Sequence, residues 1–226
     1  AATSGAFRVL VSGDLSNLPR GLWCNRVDER SSILGGALND VGRAVSWLDD
    51  TPEAAARRRA GRRPGGRTRP RPARGAAVVL GRAVDGVGRR GARGVPPVSA
   101  ATTPVELYRA TLEGVALSYV RILRELVAVT GQPREIVATG HVAATLPSLL
   151  QMVADAAGVP VVPLTLKRST LRGTALAALP ALAPGVDPAP APQGAAFEPH
   201  PDRLNYYHRR MERFGVLYDK VIAHAN

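Results

Sequence analysis

Two places in the 226-residue sequence combine small and hydroxyl-bearing residues in the way a phosphate-binding backbone requires. Thr3-Ser4-Gly5-Ala6 stands directly before a β-rich run. Small side chains there let the chain approach a polyphosphate, while hydroxyls and backbone N–H groups donate to it. An ordinary Gly/Ser turn fits the same four residues. Thr139-Gly140 follows a second β-rich run and precedes a helical segment, a place where free N–H groups and the helix dipole attract anions. A plain strand-to-helix turn is the competing reading. Other chemistries are poorly served. His141, His200, His208 and His224 show no metal-ligand spacing. The single Cys24 reads as a small buried hydrophobe and permits neither an internal disulfide nor a cysteine zinc cluster. No Ser-His-Asp or Cys-His set can be assembled, and the carboxylates are scattered. No catalytic residue and no metal ligand is therefore assigned. His208, with Tyr206-Tyr207, falls on an amphipathic helix and reads as packing.

The elements that must carry these turns follow from local pattern. Residues 7–13 and 22–28 are β-rich runs separated by Asp, Asn, Pro and Gly, and read as two paired strands. Ile33-Leu34-Gly35-Gly36-Ala37 reads as a third, after which Asn39 or Asp40 can cap a helix ending near Leu48. Thr103-Pro104-Val105-Glu106 is a capping box with Pro at the first helical position. Tyr108, Leu112, Val115, Tyr119, Ile122 and Leu126 then form one apolar stripe at spacings of four and three, and Gly131 is placed to end the helix. Next come a short strand at 136–139, a helix from about 147 to 157 stopped by Gly158, and a brief or edge strand at Val161-Val162 between Pro160 and Pro163. A helix over 171–179, a Pro/Ala linker over 183–201 and a last amphipathic helix over 205–224 complete the chain. The two candidate turns thus sit at strand ends of an α/β domain, where ligands commonly bind.

Hydrophobic residues make up 45% of the chain, enough for a core, yet no apolar run approaches the ~20 residues of a membrane span. No charged-then-apolar leader opens the sequence, so the cytoplasm is the expected location. Met152 and Met211 are the only methionines, and the chain reads as a piece of something longer. The net charge of +12 is local: residues 54–97 hold 13 Arg against one acid, Asp85, and the other 182 residues balance 17 bases with 17 acids. That segment has no aromatic and no period of 2 or 3.6. It reads as a disordered, self-repelling insert. It offers nucleic acid only non-specific, salt-dependent phosphate contacts, with no base-stacking platform, so a specific nucleic-acid partner is not expected.

Five stretches together carry a resemblance: Thr3 through Val9; Gly21-Leu22-Trp23-Cys24 through Leu34-Gly35-Gly36-Ala37-Leu38; Tyr108 through Val115; Ala138-Thr139-Gly140 through Gln151-Met152-Val153-Ala154-Asp155; and Ser169 through Leu176. In order and spacing they resemble the carboxy-terminal domain of the FGGY carbohydrate kinases, within them the gluconokinase-like group, over roughly 1–50 and 98–226. The resemblance implies the ribonuclease-H-like fold of actin- and hexokinase-type ATPases. It also implies ATP and magnesium as cofactors, with a sugar or sugar acid such as gluconate as substrate. Thr3, Ser4 and Gly5 would face the ATP phosphates, and Gly140 with His141 would border the adenosine. The family's catalytic aspartate and sugar-binding domain lie upstream of the Thr-Ser-Gly turn, so this chain is expected to be the nucleotide-binding half, inactive alone. A non-specific nucleic-acid-binding protein and a non-catalytic regulatory subunit are the other readings.

Three departures stand out. Ala2 stands where the family usually has Gly, and His141 replaces the second Gly of a pair, where bulk would crowd a nucleotide. The Arg-rich segment occupies the place of a Gly-Glu-Arg-containing one. Read back into codon families and shifted by one base, residues 81–88 permit Gly-Glu-Arg-Ser-Thr-Gly-Trp. Residues 55–97 therefore read either as a frameshifted stretch between two compensating indels or as a genuine insertion. On both accounts limited trypsin digestion should cut first within 55–97, leaving fragments that stay associated; a protease-resistant segment would refute disorder, and stop codons in the shifted frame would refute the frameshift.

Overall fold

The computed structural model describes residues 4–13, 15–39, 41–42 and 104–223. The expected helix towards Leu48, the Arg-rich segment, the Thr103 cap and His224 lie outside the described residues. β1 (Gly5–Ser12), β2 (Trp23–Arg26) and β3 (Ser31–Leu38) form an antiparallel sheet in the order β1-β3-β2. The register runs from Gly5 opposite Leu38 to Ser12 opposite Ser31, and from Trp23 opposite Gly35 to Arg26 opposite Ser32. The first two strands do not pair with each other, contrary to the sequence expectation. β3 lies between them because it is the strand that carries the buried positions, Ser32, Leu34, Gly35 and Gly36. Its glycines look weak for a strand, yet close approach demands them. A Cβ on Gly36 would lie 2.7 Å from Cγ2 of Ile122, and one on Gly35 would lie 2.7 Å from both the Phe7 carbonyl oxygen and the Trp23 ring.

Ile122 belongs to α1 (Pro104–Thr130), the longest helix described. Gly131 follows it at φ +81° and returns its N–H to the Val127 carbonyl at 2.9 Å, the left-handed stop that its position suggested. α1 is buried on more sides than its stripe indicates. Ile122 and Leu126 pack on Leu34 beneath the three-stranded sheet. Val115, Ala116 and Leu123 join Ile136, Leu149, Val153 and Val161. Leu117 and Val120 face Tyr207 and Met211 of the last helix.

β4 (Ile136–Ala138) and β5 (Val161–Pro163) form a parallel pair with Ile136 opposite Val161 and Ala138 opposite Pro163. Between them come a short helix that the sequence did not signal, α2 (His141–Thr145), and then α3 (Pro147–Ala157), ended by Gly158 at φ +67°. β5 is brief, as its flanking prolines imply, but it is bridged on its other side by Phe197 through reciprocal backbone bonds of 2.9 and 3.1 Å with Val161. The Pro/Ala stretch lies along it: Gly194 donates to the Pro163 carbonyl at 2.8 Å and Thr165 to that of Pro192 at 3.0 Å. α4 (Ser169–Leu182) buries no residue, and α5 (Pro201–Ala223) closes the domain against α1 and α3.

Two buried carboxylates fasten α5. Glu113 of α1, 3% exposed, accepts hydrogen bonds from the Tyr206 hydroxyl at 3.0 Å and the Arg210 guanidinium at 2.6 Å. Burial disfavours the charged Arg210, but Glu113 outweighs it and raises the guanidinium's pKa. Burial, reinforced by Glu113 and Asp155, pushes the Tyr207 phenol up to about 12. Asp155 of α3 is fully buried and accepts from the His200 backbone N–H at 2.9 Å, the His200 ring at 2.8 Å and the Gln151 amide at 2.9 Å. Burial alone would raise its pKa; these donors, His200 first, bring the net shift down. His208 is not a packing residue: its side chain is 66% exposed, 3.6 Å from Glu212.

Gly36→Ala should cost about 1–3 kcal/mol in urea denaturation, because the added methyl overlaps Ile122. Ile122→Ala, which removes the Cγ2 that the methyl would meet, should cost less in that background than in the wild type. Asp155 has a lowered folded pKa, so its stabilisation is complete above its ordinary 3.8 and disappears as pH falls through the folded value. Asp155→Asn should therefore lower stability at pH 7 by about 1–3 kcal/mol and flatten the acid limb of stability against pH.

Candidate functional site

Ser4 is exposed immediately before β1, and Gly5 is the strand's first residue, opposite Leu38. A Cβ on Gly5 would run into the hydroxyl of Tyr119, which α1 holds against the strand. Glycine is required at this position by the domain's own packing. Tyr119 itself stacks edge-to-face on Phe7 with ring centroids 5.4 Å apart, and burial raises its phenol pKa, so the hydroxyl keeps its proton. In the sequence Tyr119 is one more member of the apolar stripe; nothing in the spacing marks its contact with Gly5. Thr3 and Ala2 lie outside the described residues.

Gly140 follows β4 with φ +99° and ψ −179°, a backbone state open almost solely to glycine. Nothing lies within 4 Å of the point a Cβ would occupy, so the backbone here faces open space. Its carbonyl accepts the Ala144 N–H at 3.1 Å, and no side chain caps α2. His141 is the exposed first residue of that helix, and its carbonyl accepts the Thr145 hydroxyl at 2.8 Å. α2 begins where sequence alone offered only a turn, because the positive φ of Gly140 redirects the chain at once.

The two turns share a foundation. Phe7, two residues beyond Gly5, and Ala138, two before Gly140, pack against one apolar cluster that includes Val115, Leu149 and Val161. No hydrogen bond is found between Ser4 or Gly5 and Gly140 or His141 among the described residues. Glu113 and Asp155, the carboxylates that sequence reading passed over, are fully engaged in holding α5. No group of three or more His, Cys, Asp or Glu able to hold a metal occurs among the described residues. A groove of about 370 Å³ lies elsewhere, floored by Val120, Leu123, Val127 and Leu204 and rimmed by Arg124 and His208. It contains none of the four described turn residues.

Comparison with known proteins places the fold. The C-terminal domain of the FGGY family of carbohydrate kinases matches residues 9–182. No curated protein matches the sequence. Among solved structures, a ligand-bound xylulose kinase from Lactobacillus acidophilus is 19% identical over 98% of this chain and 46% of its own, with a TM-score of 0.71. Gluconate kinase from Lactobacillus acidophilus is 20% identical over 97% of this chain and 46% of its own, at 0.68. Plasmodium falciparum glycerol kinase with ADP is 18% identical over 99% and 46%, at 0.60. The chain therefore spans about half the length of each kinase, and at these identities the likeness is one of fold, the ribonuclease-H-like ATPase fold of these sugar kinases. With residues 9–182 matched and its strands and helices arranged as in those enzymes, the chain belongs to the FGGY family of carbohydrate kinases, as a C-terminal domain.

Proposed function

We propose that this chain is the nucleotide-binding half of an ATP-dependent kinase for a sugar or sugar acid such as gluconate, working in the cytoplasm. The observation that carries the reading is Gly140: a positive-φ turn with open space above it, at the carboxyl end of a parallel strand. The exposed Ser4 before β1 supplies a hydroxyl for phosphate, with Thr3 and Gly5 as its neighbours in that turn. The likeness to gluconate kinase and to a glycerol kinase with ADP supports both the nucleotide and the class of acceptor.

The residues fit a nucleotide better than they fit a metal. Gly140 offers bare backbone at the adenosine end, and Ser4 with Gly5 offers small residues at the phosphate end. The described residues provide no carboxylate cluster, so magnesium would arrive with the ATP phosphates, whose charge it neutralises when bound. The chain's own work is to hold the nucleotide and orient its terminal phosphoryl group. Carbohydrate binding and the base that takes the acceptor hydroxyl's proton belong, in this reading, to the part of a full-length kinase outside these 226 residues.

His141 is the side chain set against tight binding. It is exposed beside Gly140, where a second glycine would leave the nucleotide more room. His141→Gly should tighten ATP binding in calorimetry, and Gly140→Val should weaken it, since valine strains a positive φ and fills the open space. Equal ATP affinity in wild type and His141→Gly would remove His141 from the site. The 226-residue chain alone should show no turnover with gluconate, xylulose or glycerol and MgATP; turnover above a mock preparation would overturn the half-kinase reading.

A further inference from the structure

The groove between α1, α3 and α5 has the make-up of a ligand site and contains none of the four described turn residues. Its volume of about 370 Å³ falls within the ~300–1,000 Å³ of small-molecule sites. Val120, Leu123 and Val127 of α1 and Leu204 of α5 give it an apolar floor. α3 ends beside that floor in Ala156 and Ala157, with Gly158 next, and these side chains are too small to fill the space. α5 is held where it cannot collapse over the gap. Its Arg203 lies 3.3 Å from buried Asp155 of α3, while Tyr206 and Arg210 bond buried Glu113 of α1. Leu204, Asn205 and His208, which border the groove, alternate with these anchoring residues along the helix. The groove is therefore preformed.

Its rim selects by charge. Arg124, exposed on α1, forms no ion pair among the described residues. Gln132 and Asn205, both exposed, leave their amides without a hydrogen bond among those residues. No carboxylate among them lines the groove. His208 already has an acid beside it, since Glu212 lies 3.6 Å from its ring on the next turn. Arg124 thus sets the charge that a ligand meets. An apolar floor under an unpaired guanidinium and two amides matches a hydrocarbon body with one anionic head. We propose that this groove binds a small amphipathic carboxylate, its hydrocarbon on Leu123 and Leu204 and its head at Arg124. The proposal is independent of the nucleotide reading, because a chain that bound no ATP would keep this groove.

Calorimetry on the 226-residue chain with octanoate, octanol and octylamine as probes tests it, at physiological salt so that loose attraction between charges is screened. Octanoate should bind saturably, octanol about tenfold more weakly, and octylamine, which Arg124 repels, more weakly again. Arg124→Gln should weaken octanoate about tenfold and leave octanol unchanged. Leu204→Gln should weaken both, because the floor loses apolar contact. Arg124 is exposed and Leu204 is 40% exposed, so thermal melts of both variants should match wild type. Absence of saturable octanoate binding would overturn the site. Octanoate affinity unchanged by either substitution would put the anion elsewhere on the chain and overturn it equally. Octylamine binding as tightly as octanoate would overturn the carboxylate as the ligand class.

Discussion

The contact between Ile122 and the bare backbone of Gly36 sets the spacing on which the rest of the domain depends. It draws α1 onto the three-stranded sheet closely enough for Leu34, Ile122 and Leu126 to seal one layer. With α1 so placed, its other faces meet the parallel strand pair and α5. The same seating presses Tyr119 against Gly5, so the geometry of the first turn is inherited from helix packing. Burial at about 25 cal/mol per Å² rewards each layer, but only glycine at 36 allows all three layers to share one helix.

Much of this was legible in sequence. The apolar stripe located α1, Gly131 and Gly158 marked two helix ends, and the order of five stretches pointed to the family. Strand order was not legible, because Gly35-Gly36 weakens β3 as a strand by local preference while tertiary contact makes it central. Nor were Glu113 and Asp155: a carboxylate's burial depends on partners 45 to 97 residues away, Arg210, Tyr206 and His200. The candidate turns were found as small-residue words, yet the conformation of Gly140 and the contact of Gly5 with Tyr119 emerged only from the fold. α2 escaped because five residues carry too little periodicity to register.

The stretch after α4 shows how a composition can mislead. Residues 183–201 are rich in Pro and Ala, which suggests a spacer. Here the prolines occupy places where no N–H is needed, while Gly194, Phe197 and His200 supply the donors that attach the segment to β5 and Asp155. Proline's restricted backbone lowers the entropy lost when such a segment docks, so it holds its course with few hydrogen bonds.

The bridge of Phe197 to Val161 also bears on where the domain can be cut. The match to the family's C-terminal domain runs to residue 182, and a boundary drawn there would remove Phe197, His200 and all of α5. Val161 would lose its second neighbour and leave β5 with an open edge, a template for pairing with other chains. Leu117 and Val120 would lose their cover, and Glu113 and Asp155 would be left as buried acids without their main partners. The residues after 182 therefore belong to the same packed unit, and they act as a structural cover on a core they do not interrupt.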